Sequence, residues 1–522
     1  MATTNAHSHN GSDKRLRLGA GVKVLPMYGD VDLDSRLLFI GDNYRLLLRA
    51  YAEAIFRLGR DRSLAERDEY LRRSAEVNQF YEITTTADRI ALRMRDEVFG
   101  TQARLEDLDL TLVAGRGPDD VTVPLQLDQL KAVGVLLPLL NGEFDRTGIE
   151  AGLAIALDAK AAGWIRDVLE RWLAAGLIEP IDARPNPFAD GSARPRVTFM
   201  GHTSIMIQTA TTTVISDPLY RPTLGIPDMA FDVTRIPITA ICCTHSHWDH
   251  CDLASLLRFD KRIPIVIPRV QRPTAFNPPM IPALRVLGFT DIRELDVWET
   301  ATVGDIEMVA VPFHGEQDEP DAVIDHYTYV FKTKGLSIYG GVDAYRDTYG
   351  EMLPALERVR REWAPDVAFL PISRMQYAYR HGGVNGFCRY VDTTLLDEWF
   401  QYTAGAEQAI EWAKALGVKR VIPYATFNFT PFDVPAQSRE FDEALRNARL
   451  NDLLLPLRPF DAATPDDLTD SSQASMRRQY LLTVLRAGAA AKRIDRRLKH
   501  NLGYRLVKRV LQGPPRQAAH HH

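Results

Sequence analysis

A chain of 522 residues is too long for one ordinary hydrophobic core and predicts two or three domains. Its balance, 45% hydrophobic and 25% charged with a formal net charge of −5, is that of a soluble globular protein and gives no ground for nucleic-acid binding. No apolar run approaches the roughly 20 residues of a membrane span, and Met1 to Asp13 is polar without the apolar core of a signal peptide, so the expected location is cytoplasmic.

In chain order, the first part reads as a mainly helical N-terminal domain, residues 1–190. Asp42 is placed to cap a helix carrying Tyr44, Leu47, Leu48, Tyr51, Ile55 and Leu58 at helical spacing, with Gly59 to end it. Leu64 to Tyr81 continues as a charged amphipathic helix. Within 121–181 the order is a strand-like Val121–Leu125, a helix over Leu130–Leu140, an Asn141-Gly142 turn and a stripe of Trp164, Ile165, Val168, Leu169, Trp172 and Leu173 stopped by Gly176. That order resembles the small PqqD-like winged-helix modules that hold peptides or carrier-linked substrates beside modifying enzymes. The alternative is a helical platform that packs on the next domain or makes a homodimer. A turn-rich linker, Ala183 to Pro195, places the boundary near 190.

The second part, residues 191–460, predicts strands at 197–208, 211–216, 238–243, 263–267, 306–312, 327–332, 336–340, 367–371 and 420–424. Helices are expected near 251–258, 350–362 and 405–416, giving sheets packed together with helices outside. The apolar run Ile236 to Cys243 leads into Thr244-His245-Ser246-His247-Trp248-Asp249-His250, four potential metal ligands within six residues. An extended segment throws alternate side chains to one side, so His245 and His247 can converge on one cation. Asp249 and His250 follow where the chain turns, and can face a second cation beside the first. Clustered His and Asp suit borderline metals such as zinc and iron. The four cysteines, Cys242, Cys243, Cys251 and Cys388, fit a reducing compartment and read as small buried residues, with a ligand role for Cys251 as the alternative. His520-His521-His522 reads as an appended tag and stands outside the metal argument.

Further pieces recur in a fixed order. They are Val197 to Ile207 with its Gly201-His202-Thr203-Ser204 turn, Val214-Ile215-Ser216-Asp217-Pro218, Val309 to His314, and Ile338-Tyr339-Gly340-Gly341-Val342-Asp343. Together with the histidine motif they resemble the metallo-β-lactamase superfamily over about 196–455, in the branch of the UlaG-like lactonases and N-acyl-phosphatidylethanolamine phospholipases. The resemblance implies an α/β fold, an αββα sandwich, with Asp217 bracing the metal loop from behind, His314 in the third motif and Asp343 between two metals. Hydrolases of this family usually supply one more His late in the domain. Here that place reads Gly417 to Phe427, holds no His, and offers Tyr424 as a residue behind the ligands. Glu316, two residues beyond His314, can bring a carboxylate instead, and harder oxygen ligands suit iron better than a zinc hydrolase.

A large preceding domain, a carboxylate at the third motif and no late His together resemble the family's non-heme diiron monooxygenases of natural-product pathways. What this implies is two Fe ions with O2 as co-substrate, held by His245, His247 and His314 or Glu316 at one iron and by Asp249 and His250 at the other. The expected reaction is hydroxylation of an unactivated carbon. Two Zn ions and hydrolysis of an ester, lactone or phosphodiester form the first alternative; a binding scaffold with a vestigial metal site forms the second. Arg374, Tyr377, Tyr379, Arg380 and His381 lie in a loop after the 367–371 strand, whose aromatics and arginines can hold an apolar body and an anionic tail. No flavin fingerprint or phosphate loop is evident, so electrons are expected from an external donor. The tail at 461–522 is basic and helical, with Asp495 the lone acid against twelve Lys and Arg between Met476 and Arg516. It can meet an acidic carrier protein, coenzyme A phosphates or an anionic surface. The substrate expected is a small-molecule acyl group held as a coenzyme A or carrier-protein thioester, because remote binding energy can fix the reacting carbon.

Overall fold

The structure, a computed structural model, describes residues 14–19, 22–28, 31–32, 49–50, 53–54, 63–95, 110–116, 119–181, 194–219, 236–271, 278–315, 326–346, 350–372, 376–378, 390–392, 399–401, 403–425, 435–457 and 460–470. The N-terminal part contains strands β1 (Arg15–Leu18), β2 (Lys23–Tyr28) and β3 (Val31–Asp32), helices α1 (Leu64–Arg73) and α2 (Ala75–Phe80), and strands β4 (Tyr81–Thr85), β5 (Ile90–Met94), β6 (Leu110–Gly115) and β7 (Val121–Leu125). Helices α3 (Leu130–Leu139), α4 (Arg146–Ala156) and α5 (Ala159–Ala174) and strand β8 (Ile178–Ile181) complete it.

Beside its helices this part carries strands that the sequence reading did not expect. A four-stranded sheet runs β3-β2-β6-β7, and in β6 Leu110, Leu112 and Ala114 are buried at alternate positions, the period-2 signature of a strand. The strands are short, and Pro26 inside β2 argues against one; among the described residues β3 pairs with Met27 and Tyr28 and does not reach Pro26, so no ladder bond from its nitrogen is needed on that side. The amphipathic stretch from Leu64 is broken at Ser74, which closes α1 in an extended conformation and accepts the Val77 amide to open α2. Of the helix expected from Asp42, only 49–50 and 53–54 are described, and these are helical.

Residues 130–181 fold as α3, α4, α5 and β8; β8 pairs antiparallel with β1 from the start of the chain, while β7, which opened the expected winged-helix order, belongs to the four-stranded sheet. Asp145 and Asp158 cap α4 and α5 through Gly148 and Ala161 amides.

The second part holds β9 (Arg196–Gly201), β10 (Ser204–Gln208), β11 (Thr213–Ser216), β12 (Ala240–Cys242), α6 (Leu253–Leu256), β13 (Ile265–Pro268), α7 (Met280–Leu287) and β14 (Ile292–Leu295). After them come β15 (Thr300–Val303), β16 (Ile306–Pro312), β17 (Tyr327–Thr333), β18 (Leu336–Gly340), α8 (Leu353–Trp363) and β19 (Val367–Pro371). Next are β20 (Gln376–Ala378), β21 (Tyr390–Asp392), β22 (Trp399–Gln401), α9 (Ala406–Leu416), β23 (Arg420–Tyr424), α10 (Pro435–Asn447), β24 (Ala462–Ala463) and α11 (Pro465–Thr469). Two sheets, β14-β13-β12-β11-β10-β9-β24 and β15-β16-β17-β18-β19-β23, enclose an apolar layer that includes Phe199, Ile205, Met308, Phe331, Phe369 and Ile422. Helices α8, α9 and α10 cover the second sheet and α6 and α7 the first. This is the expected αββα sandwich, and the cluster beneath α6 and α7 runs on into Leu130, Leu136, Ile165 and Trp172 of the N-terminal helices.

Strands β11 to β14 are mutually parallel, as are β18, β19 and β23. Parallel strands leave their carboxyl ends on one side, where open α/β sheets place their ligands. Asp217, the histidine motif, Asp343 and Tyr424 all lie at such ends, following β11, following β12, following β18 and closing β23.

Candidate metal centre

The parallel pairing of β11 and β12 sets Asp217 beside Thr244. One carboxylate oxygen of Asp217, Oδ1, accepts the Thr244 amide at 2.8 Å; the other, Oδ2, accepts the Thr244 hydroxyl at 2.7 Å and lies 2.9 Å from His250 Nδ1. The opposite nitrogen of that ring, Nε2, lies 2.8 Å from Asp343 Oδ2. Both neighbours are acceptors, so His250 is held as a double donor in this metal-free geometry, and with a cation at Nε2 the Nδ1–H still donates to Asp217.

Four residues around this point carry left-handed backbone: His202 at φ 50°, Asp217 at 41°, Val342 at 49° and Ala425 at 55°. For a β-branched residue such as Val342 this is strained, at about 1–3 kcal/mol each. Hydrogen bonds hold them: Asp217 N to Cys242 O at 2.8 Å, Ala425 N to His202 O at 3.0 Å, and Val342 N to the Tyr424 hydroxyl at 2.5 Å. Tyr424, fixed by burial, therefore sets the residue before Asp343.

His202, Asp249, His250 and Asp343 each offer one ligand atom, all within 4.8 Å of one another. His202 Nε2 lies 3.1 Å from Asp249 Oδ2, which lies 3.7 Å from His250 Nε2. Beside them His245 Nε2 lies 3.0 Å from His247 Nδ1, and the His245 ring lies against His250 at 3.9 Å between centroids with the planes tilted by 35°. All are almost completely buried. Burial lifts the Asp249 carboxyl, but the neighbouring charges of His250, His202 and His247 and a bond from His202 outweigh it and hold the group well below its ordinary range. Burial likewise works against charge on His250, and the carboxylates of Asp249, Asp343 and Asp217 outweigh it, raising the ring well above its ordinary value. The donor set of imidazoles and carboxylates thus supports positive charge at its centre. Asp343 Oδ1 is buried and accepts no hydrogen bond among the described residues, which fits a bridging or terminal ligand for a cation.

Of the residues expected in the site, the structure gathers His245, His247, Asp249, His250 and Asp343, with Asp217 and Tyr424 behind them. It does not gather His314 with them: the space beside its ring is closed by Gly350, where a Cβ would meet His314 Cε1 at 2.7 Å, and its amide points to Met352 Sδ. The neighbour Phe313 turns inward, 5.6 Å from His245 between ring centroids. Successive residues leaving a strand face opposite ways, so once Phe313 enters the cluster His314 is turned out of it. Glu316, Arg374, Tyr379, Arg380 and His381 lie outside the described residues, as does the tail beyond 470; Tyr377 lies in β20 with its side chain outside the description. Cys242, Cys243 and Cys251 are buried, the last two in the apolar cluster below the motif, and a side-chain hydrogen bond with Cys251, together with burial, pushes the Cys243 thiol up.

Two site residues went unread in the sequence. His202 sits in the Gly201-His202-Thr203 turn between β9 and β10, where its position in a turn gave no ligand spacing. His326, before β17, is fully buried with its ring 4.7 Å from His245, 5.2 Å from His247 and 5.3 Å from Phe313. It stands alone in the sequence, so only the tertiary packing shows it.

Residues 227–424 match the Beta-lactamase superfamily domain. A curated relative, the 4-amino-L-phenylalanyl-[CmlP-peptidyl-carrier-protein] 3-hydroxylase of Streptomyces venezuelae, is 30% identical over 213 residues, which cover 39% of this chain and 37% of the relative. The match thus spans little more than a third of that protein's length. Among solved structures, CmlA, a diiron beta-hydroxylase from Streptomyces venezuelae, superposes with a TM-score of 0.56 at 18% identity, covering 87% of this chain and 100% of that chain. A mutant of the same hydroxylase gives a TM-score of 0.55 at 18% identity over 86% of this chain and 100% of that chain. The likeness in overall fold therefore extends beyond the residues that match the family description and through the N-terminal part. No helix among the described residues is long and apolar enough to cross a membrane.

Proposed function

We propose that this protein is a non-heme diiron monooxygenase that hydroxylates an unactivated carbon of an acyl intermediate held as a carrier-protein or coenzyme A thioester. The observation that carries the reading is the buried donor set that mixes imidazoles with two carboxylates and has no late His beside it. Asp249 and Asp343 enter it, and the place where hydrolases of the family supply a late His holds Tyr424, whose hydroxyl is engaged with the Val342 amide. Hard oxygen donors beside imidazole suit iron. The curated relative is a hydroxylase of a carrier-protein-bound amino acid, which supports both the reaction class and the thioester.

Two irons, when bound, would activate O2 for insertion into a C–H bond; one oxygen atom goes to the substrate and the other leaves as water, with two electrons and two protons supplied from outside. The chain's own part is to position and to exclude water. His245, His247 and the third-motif carboxylate Glu316 are assigned to one cation, Asp249 and His250 to the other, and Asp343 to the space between. Asp217 fixes the His250 tautomer, and the phenol of Tyr424 holds the Asp343 turn. Phe313 and the fully buried histidines keep bulk water from the centre. Arg374, Tyr377, Tyr379, Arg380 and His381 are assigned to the substrate, an external reductase to the electrons, and the basic tail to an acidic carrier.

Anaerobic metal analysis with single-turnover O2 consumption tests the reading. Two irons per chain and one hydroxylated product per two electrons delivered are expected; two zinc ions with esterase or lactonase activity would replace it with the hydrolase. Comparing one acyl group as the free acid, the coenzyme A ester and the carrier-bound form tests the tether, and equal kcat/KM for all three would remove it.

A further inference from the structure

Resting on the reading of a two-cation centre, we infer that His202 is a metal ligand, its Nε2 completing with Asp249, His250 and Asp343 the shell of one cation. The ligand atoms themselves converge. His202 Nε2 lies 3.1 Å from Asp249 Oδ2, which lies 3.7 Å from His250 Nε2, which in turn lies 2.8 Å from Asp343 Oδ2. Nitrogen and oxygen ligands stand about 2.1 Å from a cation of this size, so neighbouring corners of its shell are roughly 3.0–3.4 Å apart and opposite corners about 4.2 Å. The three observed links are of the length of neighbouring corners, and one ligand atom from each of the four residues falls within 4.8 Å of every other. A histidine that only braced Asp249 would need no nearness to His250 or Asp343, yet His202 has it. In the same site Asp343 Oδ1 is buried and accepts no hydrogen bond among the described residues, which leaves a demand for positive charge.

The backbone supports the same assignment. His202 sits in the turn between β9 and β10 at φ 50°, a conformation that costs a non-glycine residue about 1–3 kcal/mol and is kept where the surroundings demand it. Its carbonyl accepts the Ala425 amide at 3.0 Å, so a turn of the first sheet is pinned to the end of β23 in the second. Strand β23 brings no ligand to that corner. The Tyr424 hydroxyl is engaged with the Val342 amide, and the methyl of Ala425 has no donor atom. The β9–β10 turn is therefore the element that supplies an imidazole where β23 supplies none. In the metal-free geometry the Nε2–H of His202 can donate to Asp249; a cation takes the place of that proton, and the neutral ring keeps its hydrogen on Nδ1.

The test uses the full chain, stripped of metal and titrated anaerobically with cobalt(II) and with iron(II). His202→Asn puts a residue that tolerates left-handed backbone in the turn, and His202→Gln keeps an N–H long enough to reach Asp249; near-ultraviolet circular dichroism of each metal-free variant reports whether the fold is kept. The parent is expected to bind two cations. Each variant should hold one of them as the parent does and weaken the other by more than roughly 100-fold, beyond what loss of a partner behind a ligand costs. Proton NMR at saturating cobalt gives a readout that bracing alone would not move: each imidazole bound to the ion contributes its own strongly shifted ring N–H resonance, and both variants should lack one that the parent shows. Parent-like affinities in both variants would overturn the assignment and leave the two-cation reading standing. Weakened binding with every shifted resonance kept would make His202 a brace for Asp249 and overturn it as well. A parent that binds two cations but transfers no oxygen, with the resonance lost in the variants, would sink the oxygenase and leave His202 as a ligand. A parent that binds neither cation would overturn both.

Discussion

Replacing Asp217 with Asn changes one oxygen for an amide nitrogen and asks whether the buried aspartate sets the histidine's ligand form. Asn tolerates the left-handed backbone at φ 41°, so the turn itself is not the target. If the amide oxygen keeps the Thr244 N–H, the new NH2 faces His250 Nδ1 and the Thr244 hydroxyl, where Asp217 Oδ2 had accepted at 2.9 and 2.7 Å. His250 must then become an acceptor at Nδ1, which moves its proton to Nε2, the nitrogen facing Asp343 and the cation. The other amide orientation instead sets a donor against the Thr244 N–H.

Either arrangement loses a charge-assisted bond, so metal-free stability should fall by about 1.5–3 kcal/mol. Loss of such a partner behind a ligand weakens metal binding by about 10–100-fold, or about 1.4–2.7 kcal/mol. Competition against a chromophoric chelator measures this for each cation separately. The loss should fall on the ion held by His250; both affinities within about 2-fold of the parent would refute the reasoning. A pH series adds a sign. The raised His250 contributes stability to the metal-free fold in full below its usual 6.5, lost as pH rises through its higher folded value. The lowered Asp249 contributes above its usual 3.8 and its share is lost as pH falls through the lower one. Metal binding must displace the His250 proton, so affinity rises with pH across the same upper window. In Asp217→Asn that rise should flatten, because one cause of the His250 shift is gone.

Three further outcomes are expected. Tyr424→Phe leaves the buried Val342 amide without its 2.5 Å acceptor and releases a strained residue next to Asp343, so the melting temperature should drop by the equivalent of about 1–3 kcal/mol and cation affinity should fall; a parent-like melt and affinity would remove Tyr424 from the centre. His247→Ala should abolish activity and most bound metal while the far-ultraviolet circular dichroism is kept, and full metal content would refute the ligand assignment. Gly134→Ala gains about 1 kcal/mol of helix propensity but sets a Cβ 3.0 Å from Leu287 O and 2.7 Å from Lys261 Cε; the Lys261 ammonium is tied to carbonyls of Leu256, Leu257 and Phe259, so the clash, at about 1–3 kcal/mol, should win and lower the melting temperature, and a higher one would show the contact is loose.

The sandwich and most of the centre were legible because strands β9 to β12 and β16 to β19 carry apolar runs with one pairing register, and because His245 to His250 concentrates ligands within one turn of chain. What the sequence hid has physical reasons. Strands β14 and β15 are half-exposed and polar on one face, so their signal is weak. Helix α7 contains Pro282, which reads as a breaker although it sits in the first turn, where no intrahelical donor is needed. His202 and His326 belong to no local pattern; they reach the centre because a β9–β10 turn and the start of β17 converge there. His314 read as a ligand from its motif; the structure sets its ring beside Gly350 and places Phe313 against His245.

The boundary near 190 marks a linker in sequence, yet the packing across it is continuous. Helix α6 begins three residues after His250 and touches β2, and Arg258 just beyond it donates to the Val22 carbonyl. Lys261 caps the end of that helix and lies against Gly134 of α3, with Phe289 under its ammonium at 4.8 Å. Close-packed interiors pass a displacement on instead of absorbing it. A substrate carrier that gripped the α3–α5 unit would therefore act on the floor beneath the metal loop, through α6, without touching a ligand. For a reaction that must hold one carbon of a flexible chain against a reactive centre, this joins the remote binding energy to the geometry it has to fix.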